Sequence, residues 1–138
     1  MAESVRVLVG TDLQSIDEIS SSIDRFGARF TARIFTDDEV ACCGGLTSRA
    51  APGLAARFAA KEAVMKLLKP VDDAPGWRSI ELCRQPGGAC TVELHGQAAT
   101  RAAELGLDFV DVSMTHGAGI GMATVVGIST APTAEGMN

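Results

Sequence analysis

The alternation of apolar and polar positions predicts five short strands. Residues 5–9 form an apolar, β-branched run that Gly10 ends, which is typical of a strand. Two further strand-like runs flank a Gln-Pro-Gly-Gly sequence, which predicts a hairpin. Towards the end of the chain, one segment alternates apolar and polar side chains, and an apolar run follows after a glycine-rich turn. These four later strands are expected over residues 79–84, 90–94, 109–115 and 120–128.

Capping signals place helices between the strands. A Ser or Thr followed three residues later by Glu, as at residues 15–18 and 36–39, is the signature of a capping box. The longest helical pattern covers residues 50–69, because Pro52 suits a first turn and Pro70 forbids continuation. Four helices are expected, over residues 16–26, 36–44, 50–69 and 97–105. Strands joined by hairpins, with helices between them, predict an α+β fold in which a small antiparallel sheet packs against a long central helix.

Length and composition narrow the class of protein. A chain of 138 residues, 46% of them apolar and 4% aromatic, predicts a single domain over residues 1–138 with a core of small aliphatic side chains. The polar tail, residues 129–138, is expected to be frayed. A net charge of −5 argues against general binding to nucleic acid, and no apolar run is long enough to cross a bilayer. We expect a cytoplasmic protein with no membrane partner, whose four cysteines are free thiols.

Three segments carry side chains that suggest chemistry. Asp12 is expected near the end of the first strand, where its carboxylate either holds a cation or is an acid favoured by the following helix dipole. In the central helix, Glu62 and Lys66 are spaced as a surface ion pair. Arg57 and Lys61 are like charges four residues apart, which an anion lying along the helix would explain. His116 ends a strand before a glycine-rich turn, where a lone histidine is more often structural than catalytic.

These segments together resemble the three signatures of the holo-acyl-carrier-protein synthases. The matching sequences are Gly-Thr-Asp-Leu at residues 10–13, Arg-Phe-Ala-Ala-Lys-Glu-Ala-Val-Met-Lys at 57–66 and Val-Ser-Met-Thr-His at 112–116. The resemblance covers roughly residues 7–128. It implies the fold of the 4'-phosphopantetheinyl transferases and the transfer of 4'-phosphopantetheine from coenzyme A to a serine of an acyl carrier protein.

The resemblance also implies a set of ligands and site residues. Magnesium is expected to be held by Asp12 and Glu62, which would also be the catalytic residues, together with the coenzyme's pyrophosphate. Coenzyme A phosphates are expected against Arg57, Lys61, Lys66 and His116. A homotrimer with active sites between subunits is expected. The proton of the attacking serine has three possible acceptors, namely Glu62, Asp12 and a metal-bound water.

The chain departs from the family pattern in three places. Gly117 follows the histidine where an acid is common, and Cys90 stands where the hairpin often has proline. Acidic Asp17 and Glu18 occupy a helix start that is often basic. Since carrier proteins are usually acidic around the modified serine, either Arg25, Arg29 and Arg33 further along form the basic docking surface, or the natural carrier is less acidic than usual. The alternative to an enzyme is a non-catalytic trimeric module that binds coenzyme A or another phosphorylated ligand.

Overall fold

The predicted α+β class is confirmed by a computed structural model, which describes residues 4–130. Ser129, the first residue of the predicted frayed tail, belongs to a strand and is buried. Residues 131–138 lie outside the described part, and the single domain over 1–138 stays a prediction. The strands are β1 (Arg6–Ser15), β2 (Ile80–Arg84), β3 (Cys90–Leu94), β4 (Leu107–Gly117) and β5 (Ile120–Ser129). The helices are α1 (Ile16–Phe26), α2 (Ala28–Ile34), α3 (Asp37–Cys43), α4 (Ala51–Leu68) and α5 (Gly96–Glu104).

The strands form two antiparallel sheets. The larger sheet has the order β1-β5-β4, so that β1 and β4 are its two edges. The smaller sheet is the predicted hairpin of β2 and β3. Because side chains alternate between the faces of a strand, one face of the larger sheet packs on α4, and the other face points away from it.

Helix α4 is the central element, and it is buried on almost every side. The prolines act as predicted: Pro52 lies in the first turn, and Lys69, before Pro70, adopts a left-handed conformation that ends the helix. The sheet covers one side of α4, while α1, α3 and β2 cover others. Its alanines, such as Ala59 and Ala63, are fully buried. The helix therefore lacks the single apolar stripe of a surface helix.

Glycines of the sheet allow α4 to approach closely. A Cβ atom added at Gly10 on β1 would collide with the backbone carbonyl of Ala63, and one at Gly121 on β5 would collide with the backbone at Ala55 and Ala56. Only a residue without a side chain fits such contacts. This close approach sets the first half of α4 against β5 and its second half against β1.

Two boundaries differ from the sequence-based expectation. Strand β1 does not stop at Gly10; it continues to Ser15, and Asp12 is paired with Ala123 of β5 inside the sheet. Helix α2 was not predicted. It exists because Gly27, with a φ angle of 54°, ends α1 and lets a second helix begin at Ala28.

Candidate active site

Asp12 is held in place from two sides. Its carboxylate lies on the side of β1 that faces α4, and its side chain is 15% exposed. Oδ1 accepts a hydrogen bond from Lys66 Nζ at 3.0 Å, and Oδ2 accepts one from Gln14 Nε2 at 2.9 Å. The same Lys66 ammonium donates to the carbonyl of Thr11 at 3.0 Å. Lys66 and Gln14 therefore fix the orientation of the Asp12 carboxylate.

Glu62 lies next to this pair. Burial raises the pKa of its carboxyl group above the ordinary value, the nearby Asp12 carboxylate raises it further, and Lys66 lowers it. We call Asp12, Glu62 and Lys66 the open cluster. The half-exposed Lys66 ammonium is thus paired with Asp12, and the charges of both groups act on Glu62, 50 positions from Asp12 in sequence. Such an excess of negative charge, made of hard oxygen ligands, suits a divalent cation of the magnesium type.

Lys61 lies in a different place from the one predicted. Its side chain is fully buried, and its ammonium contacts the Glu39 carboxylate at 2.8 Å and donates to the carbonyls of Trp77 and Ile80. Burial lowers the pKa of Lys61, while Glu39 opposes that shift. In this structure Lys61 therefore lines no open phosphate site, which corrects the expectation for this residue. The spacing of Arg57 and Lys61 suggested that an anion lies beside both residues. For Lys61, that anion is the Glu39 carboxylate of the protein itself.

Glu39 is the site-adjacent residue whose role sequence reasoning missed. Its Oε1 accepts from the backbone amide of Thr36 at 2.8 Å, completing the capping box of α3, and its Oε2 accepts from the amide of Leu82 at 2.9 Å. We call Glu39 and Lys61 the buried cluster. The capping pattern revealed Glu39 as a helix start, but nothing in the sequence indicated that the same carboxylate joins α3, α4 and β2.

Arg57 and His116 meet at a second location, a cavity of about 480 Å³. The Arg57 side chain is almost fully buried, its Nη1 donates to the carbonyl of Gly53 at 3.3 Å, and its Nε has no partner among the described residues. Arg84 of β2 lines the same cavity and was not predicted. Two arginines and a histidine around one cavity make a place for an anionic group. We call it the arginine cavity.

The open cluster and the arginine cavity lie on different sides of α4. Five residues separate Arg57 from Glu62, which places them about 140° apart around the helix axis. They also belong to opposite edges of the larger sheet, because Asp12 is on β1 and His116 is on β4. Within one chain, the predicted residues other than Lys61 therefore lie in two separate places, which we call the two half-sites.

The predicted docking arginines share one surface. Arg25, Arg29 and Arg33 are all exposed, and the last two line a small cleft with Phe26 and Phe30 between α1 and α2. The guanidinium of Arg25 lies 5.3 Å from the centre of the Phe26 ring, which is itself 47% exposed. The surface therefore combines positive charge with exposed aromatic area.

A separate group of possible metal ligands occurs on the hairpin. Glu81, Glu93 and His95 come together there, with His95 Nε2 3.2 Å from a Glu81 oxygen. Glu81 also accepts a hydrogen bond from Thr36 at 2.7 Å. These side chains already pair with one another, and they do not include the predicted ligands Asp12 and Glu62.

Within residues 4–130 there is no helix of the length and apolarity needed to span a membrane.

Comparison with known proteins identifies the family. Residues 8–118 match the family model described as the 4'-phosphopantetheinyl transferase superfamily. The chain is 38% identical to a holo-[acyl-carrier-protein] synthase of Herpetosiphon aurantiacus, over 88% of this chain and 98% of that protein. It is 45% identical to one of Moorella thermoacetica, over 78% and 82% of the two chains.

Solved structures agree with this assignment. The crystal structure of Helicobacter pylori holo-[acyl-carrier-protein] synthase in complex with coenzyme A matches with a TM-score of 0.74 and 25% identity. The match covers 87% of this chain and 99% of that one. The sequence signatures, the fold and the paired carboxylates thus lead to one conclusion: the chain belongs to the 4'-phosphopantetheinyl transferase superfamily.

Proposed function

We propose that this protein transfers 4'-phosphopantetheine from coenzyme A to a serine of an apo acyl carrier protein, giving the holo carrier and 3',5'-ADP. Relatives that align along most of their length carry the name holo-[acyl-carrier-protein] synthase, and one solved relative contains coenzyme A. The observation that carries the proposal to this chain is the open cluster. There Lys66 pairs with Asp12, and the charges of both act on Glu62, which supports a site where two carboxylates and a cation would stabilise a phosphoryl transfer.

Magnesium is the metal that the open cluster fits best. Asp12 and Glu62 would hold the ion, with phosphate oxygens of the coenzyme and water completing its coordination. When bound, the ion would neutralise charge on the phosphate oxygens. Lys66 pairs with Asp12 and is half exposed, so its ammonium would be available to a phosphate oxygen if a bound ion took the place of Lys66 at the Asp12 carboxylate.

The reaction exchanges one phosphorus–oxygen bond for another. The serine oxygen of the carrier attacks the phosphorus on the pantetheine side of the pyrophosphate, and the bond from that phosphorus to the bridging oxygen breaks. The leaving 3',5'-ADP keeps the bridging oxygen and its electron pair, and Lys66 stabilises the charge that develops there.

Glu62 is the better of the two carboxylates for accepting the serine proton. Both oxygens of Asp12 already accept hydrogen bonds from Lys66 and Gln14. Glu62 is partly exposed, and among the described residues no side-chain hydrogen bond occupies its carboxylate, so an oxygen that does not hold the ion would remain free for the proton.

The coenzyme's remaining phosphate is assigned to the arginine cavity. Arg57 and Arg84 supply its positive charge, and together with His116 they supply hydrogen-bond donors. Because the arginine cavity and the open cluster lie on different sides of α4, one coenzyme would reach both only if a second subunit supplied one of them. The half-sites therefore support an active site at a subunit boundary.

A homotrimer satisfies this requirement. An open edge at β1 and another at β4 allow a head-to-tail contact, and such contacts close into rings. The face of the larger sheet that points away from α4 is rich in exposed apolar side chains, which favours burial by association. They are Val7, Val9, Leu13, Phe109, Ile120 and Met122. Light scattering of dilute, active protein tests this: a trimer is expected, and a fully active monomer would rule the shared site out.

The carrier is proposed to dock on the surface formed by Arg25, Arg29 and Arg33. Their charge would attract an acidic carrier, and Phe26 and Phe30 would contact its apolar side chains. The test reverses Arg25 and Arg29 to Glu and measures transfer at several salt concentrations. Efficiency should fall and lose its salt dependence, since exposed charges act over roughly 8–10 Å in physiological salt. Unchanged transfer at every salt concentration would show that the carrier docks elsewhere.

One assay tests the function itself. The protein is incubated with an apo acyl carrier protein, coenzyme A and magnesium, and the intact mass of the carrier is measured. We expect a mass gain of one phosphopantetheine group. Binding of coenzyme A with no change in carrier mass would instead indicate the non-catalytic module. A cytoplasmic location remains a prediction.

A further inference from the structure

Cys90 has surroundings unlike those of the other cysteines. It begins β3 and lines the arginine cavity. Arg57 Nη2 donates a hydrogen bond to its sulfur at 3.9 Å. Arg84, which also lines the cavity, is the residue directly opposite Cys90 in the hairpin. The Cys90 thiol is therefore partly buried, in contact with the Arg57 guanidinium, and directly across the hairpin from a second arginine that lines the same cavity.

Arg57 provides independent evidence that the cavity receives an anion. This residue is 3% exposed, and its Nε lacks a hydrogen-bond partner within residues 4–130. Its Nη contacts are a backbone carbonyl and the Cys90 sulfur, both uncharged groups. A buried cation needs an opposite charge to offset its loss of hydration. An anionic molecule in the cavity would supply that charge within reach of Cys90.

Cys83 provides a contrast on the same hairpin. It is partly buried, like Cys90, but its neighbours are carboxylates. Burial, a hydrogen bond to Glu93 and the charge of Glu81 raise the pKa of Cys83 to about 12. Since the thiolate is the reactive form of cysteine, Cys83 should remain an inert thiol. The two cysteines thus differ in the sign of the charge around them.

We propose that Cys90 is a modification site for anionic low-molecular-weight disulfides of the coenzyme A disulfide type. The Cys90 thiol first loses its proton to solvent. The thiolate then attacks one sulfur of the disulfide, a bond forms between the two sulfurs, and the original disulfide bond breaks. The other half leaves as a thiolate and takes up a proton from water. The product carries a bulky anionic group inside the arginine cavity.

The modification would inhibit the enzyme reversibly. The arginine cavity is the place assigned above to a phosphate of coenzyme A, so a mixed disulfide there would exclude the substrate. This consequence rests on the proposed function, whereas the chemical preference of Cys90 does not. Reduction by an added thiol should release the group and restore transfer.

The charge preference is tested with a pair of alkylating reagents that differ in charge. Full-length protein is treated with iodoacetate, which is anionic, or iodoacetamide, which is neutral, and each cysteine is followed by peptide mass spectrometry. At each cysteine, the rate with iodoacetate is divided by the rate with iodoacetamide. This ratio should be about fivefold higher at Cys90 than at exposed Cys42, because the guanidinium groups attract the anionic reagent. Cys83 should react slowly with both reagents. An equal ratio at Cys90 and Cys42 would overturn the inference.

A second arm identifies the source of the charge. Arg84 is exposed, so Arg84→Gln should fold normally and lower the rate ratio at Cys90 towards that of Cys42. Lys69→Gln, a change of another exposed cation outside the cavity, is the matched control and should leave the ratio unchanged. If the two variants behave alike, the cavity is not the cause of the preference.

The final arm uses the disulfides themselves. Coenzyme A disulfide should label Cys90 faster than glutathione disulfide does, Cys90→Ser should abolish that label, and Cys83→Ser should leave it unchanged. Activity lost on treatment is expressed relative to each variant's own untreated sample. Labelling confined to Cys42 would contradict the proposal. The labelling is repeated with coenzyme A present, which should slow it if the coenzyme occupies the cavity. If Cys90 is labelled equally fast with and without coenzyme A, the inference about Cys90 stands and the assignment of the cavity to the coenzyme fails.

Discussion

The buried cluster and the open cluster meet on consecutive residues of α4, yet they differ in almost every physical respect. In the buried cluster, Lys61 and Glu39 are fully covered, and their charges cancel. Each is also bonded to the backbone of neighbouring elements. In the open cluster, two carboxylates lie near one ammonium: that of Lys66, whose side chain is 57% exposed, pairs with Asp12, and both charges act on Glu62. The charges of the buried cluster are balanced within the protein, whereas the open cluster has one more negative charge than positive.

This difference shows that the motif over residues 57–66 contains both a residue suited to ligand binding and a residue that stabilises the fold. Lys61 and Glu62 are adjacent and both charged, so both were expected to contact ligand. A charged group whose partners all come from the protein contributes to the fold. A carboxylate pair with an excess of negative charge has capacity left for a cation. The balance of charge within each cluster, and not proximity in sequence, separates binding residues from structural ones.

The largest expected effect is on the open cluster. Asp12→Asn and Glu62→Gln each remove a ligand charge from the proposed metal site, and we expect transfer to fall by about 10³-fold or more. Thermal stability should change little, because neither carboxylate is fully buried. Steady-state transfer and thermal unfolding of the same preparations measure both effects. A variant that keeps most of its transfer activity would remove its residue from the site.

The next largest effect is on the buried cluster. Lys61→Met leaves the Glu39 carboxylate buried without its partner, and the free energy of unfolding should fall by about 3–5 kcal/mol. Glu39→Gln should cost a similar amount, because the Lys61 ammonium then stays buried without its charge partner and the amide NH2 faces a donor where the carboxylate oxygen accepted a hydrogen bond. Urea unfolding measures both changes. If Lys61→Met retains full stability and loses coenzyme A binding, Lys61 contacts phosphate after all, as the sequence predicted.

Much of the fold was predictable, because it depends on local signals. Ser15 and Thr36 cap helices, Pro52 and Pro70 bound the central helix, alternation marks β4, and an apolar run after a glycine-rich turn marks β5. These signals act over a few residues. Helix α2 was not predicted, because its N-cap is Gly27, which has no side chain to give a capping signal in the sequence. The family resemblance also implied that Asp12 and Glu62 lie near each other. The close approach of α4 to β1 at Gly10 makes this possible.

The environment of each charge was not predictable, because it depends on contacts distant in sequence. The partner of Lys61 is Glu39, which a capping signature had already explained. Gln14 lies two positions after Asp12 on the same face of β1 and donates a hydrogen bond to it. The sequence did not predict this contact, because it predicted that β1 ends at Gly10. The division of Arg57 and Glu62 between two half-sites requires the sheet order.

A smaller effect is expected where α4 touches β1. Gly10→Ala places a methyl group against the carbonyl of Ala63, and we expect a loss of about 1–3 kcal/mol in stability. Since Glu62 neighbours Ala63, the backbone shift should also weaken binding of magnesium. Gly76→Ala, where an added Cβ meets no neighbour, is the matched control. Equal stability of the two variants would contradict the close packing described here.

A still smaller effect tests how Asp12 is oriented. Gln14→Ala removes the hydrogen bond to Oδ2, and we expect the magnesium concentration for half-maximal transfer to rise about fivefold, the equivalent of one hydrogen bond. Calorimetric titration with Mn²⁺, without coenzyme or carrier, should show the same loss. Gln85→Ala on the hairpin is the control, since Gln85 is also hydrogen-bonded to a neighbour. An unchanged Mn²⁺ affinity in the Gln14 variant would contradict a positioning role.

The smallest effect is the pH dependence of stability, in which two glutamates should act in opposite directions. The pKa of Glu62 is raised above 4.5 by burial and by Asp12, so ionisation opposes folding, and stability without metal should fall as the pH rises above 4.5. The pKa of Glu81 is lowered, chiefly by the hydrogen bond from Thr36, so its contribution is present above 4.5 and is lost as the pH falls below it.

Unfolding curves of the two glutamine variants measure these contributions. Compared with the unmutated protein, Glu62→Gln should be more stable at neutral pH, with the difference vanishing in acid. Glu81→Gln should be less stable at neutral pH, and this difference should also vanish in acid. Parallel curves for all three proteins would mean that neither glutamate is perturbed as described.

The most direct test of the account compares transfer by a variant from each cluster. An apo acyl carrier protein, coenzyme A and magnesium are incubated with the unmutated protein, Glu62→Gln or Glu39→Gln, at a temperature where each is folded. We expect the carrier to gain one phosphopantetheine with the unmutated protein and with Glu39→Gln. It should remain unmodified with Glu62→Gln at every magnesium concentration. Transfer by Glu62→Gln at the unmutated rate, or none by the folded, unmutated protein, would contradict the central claim.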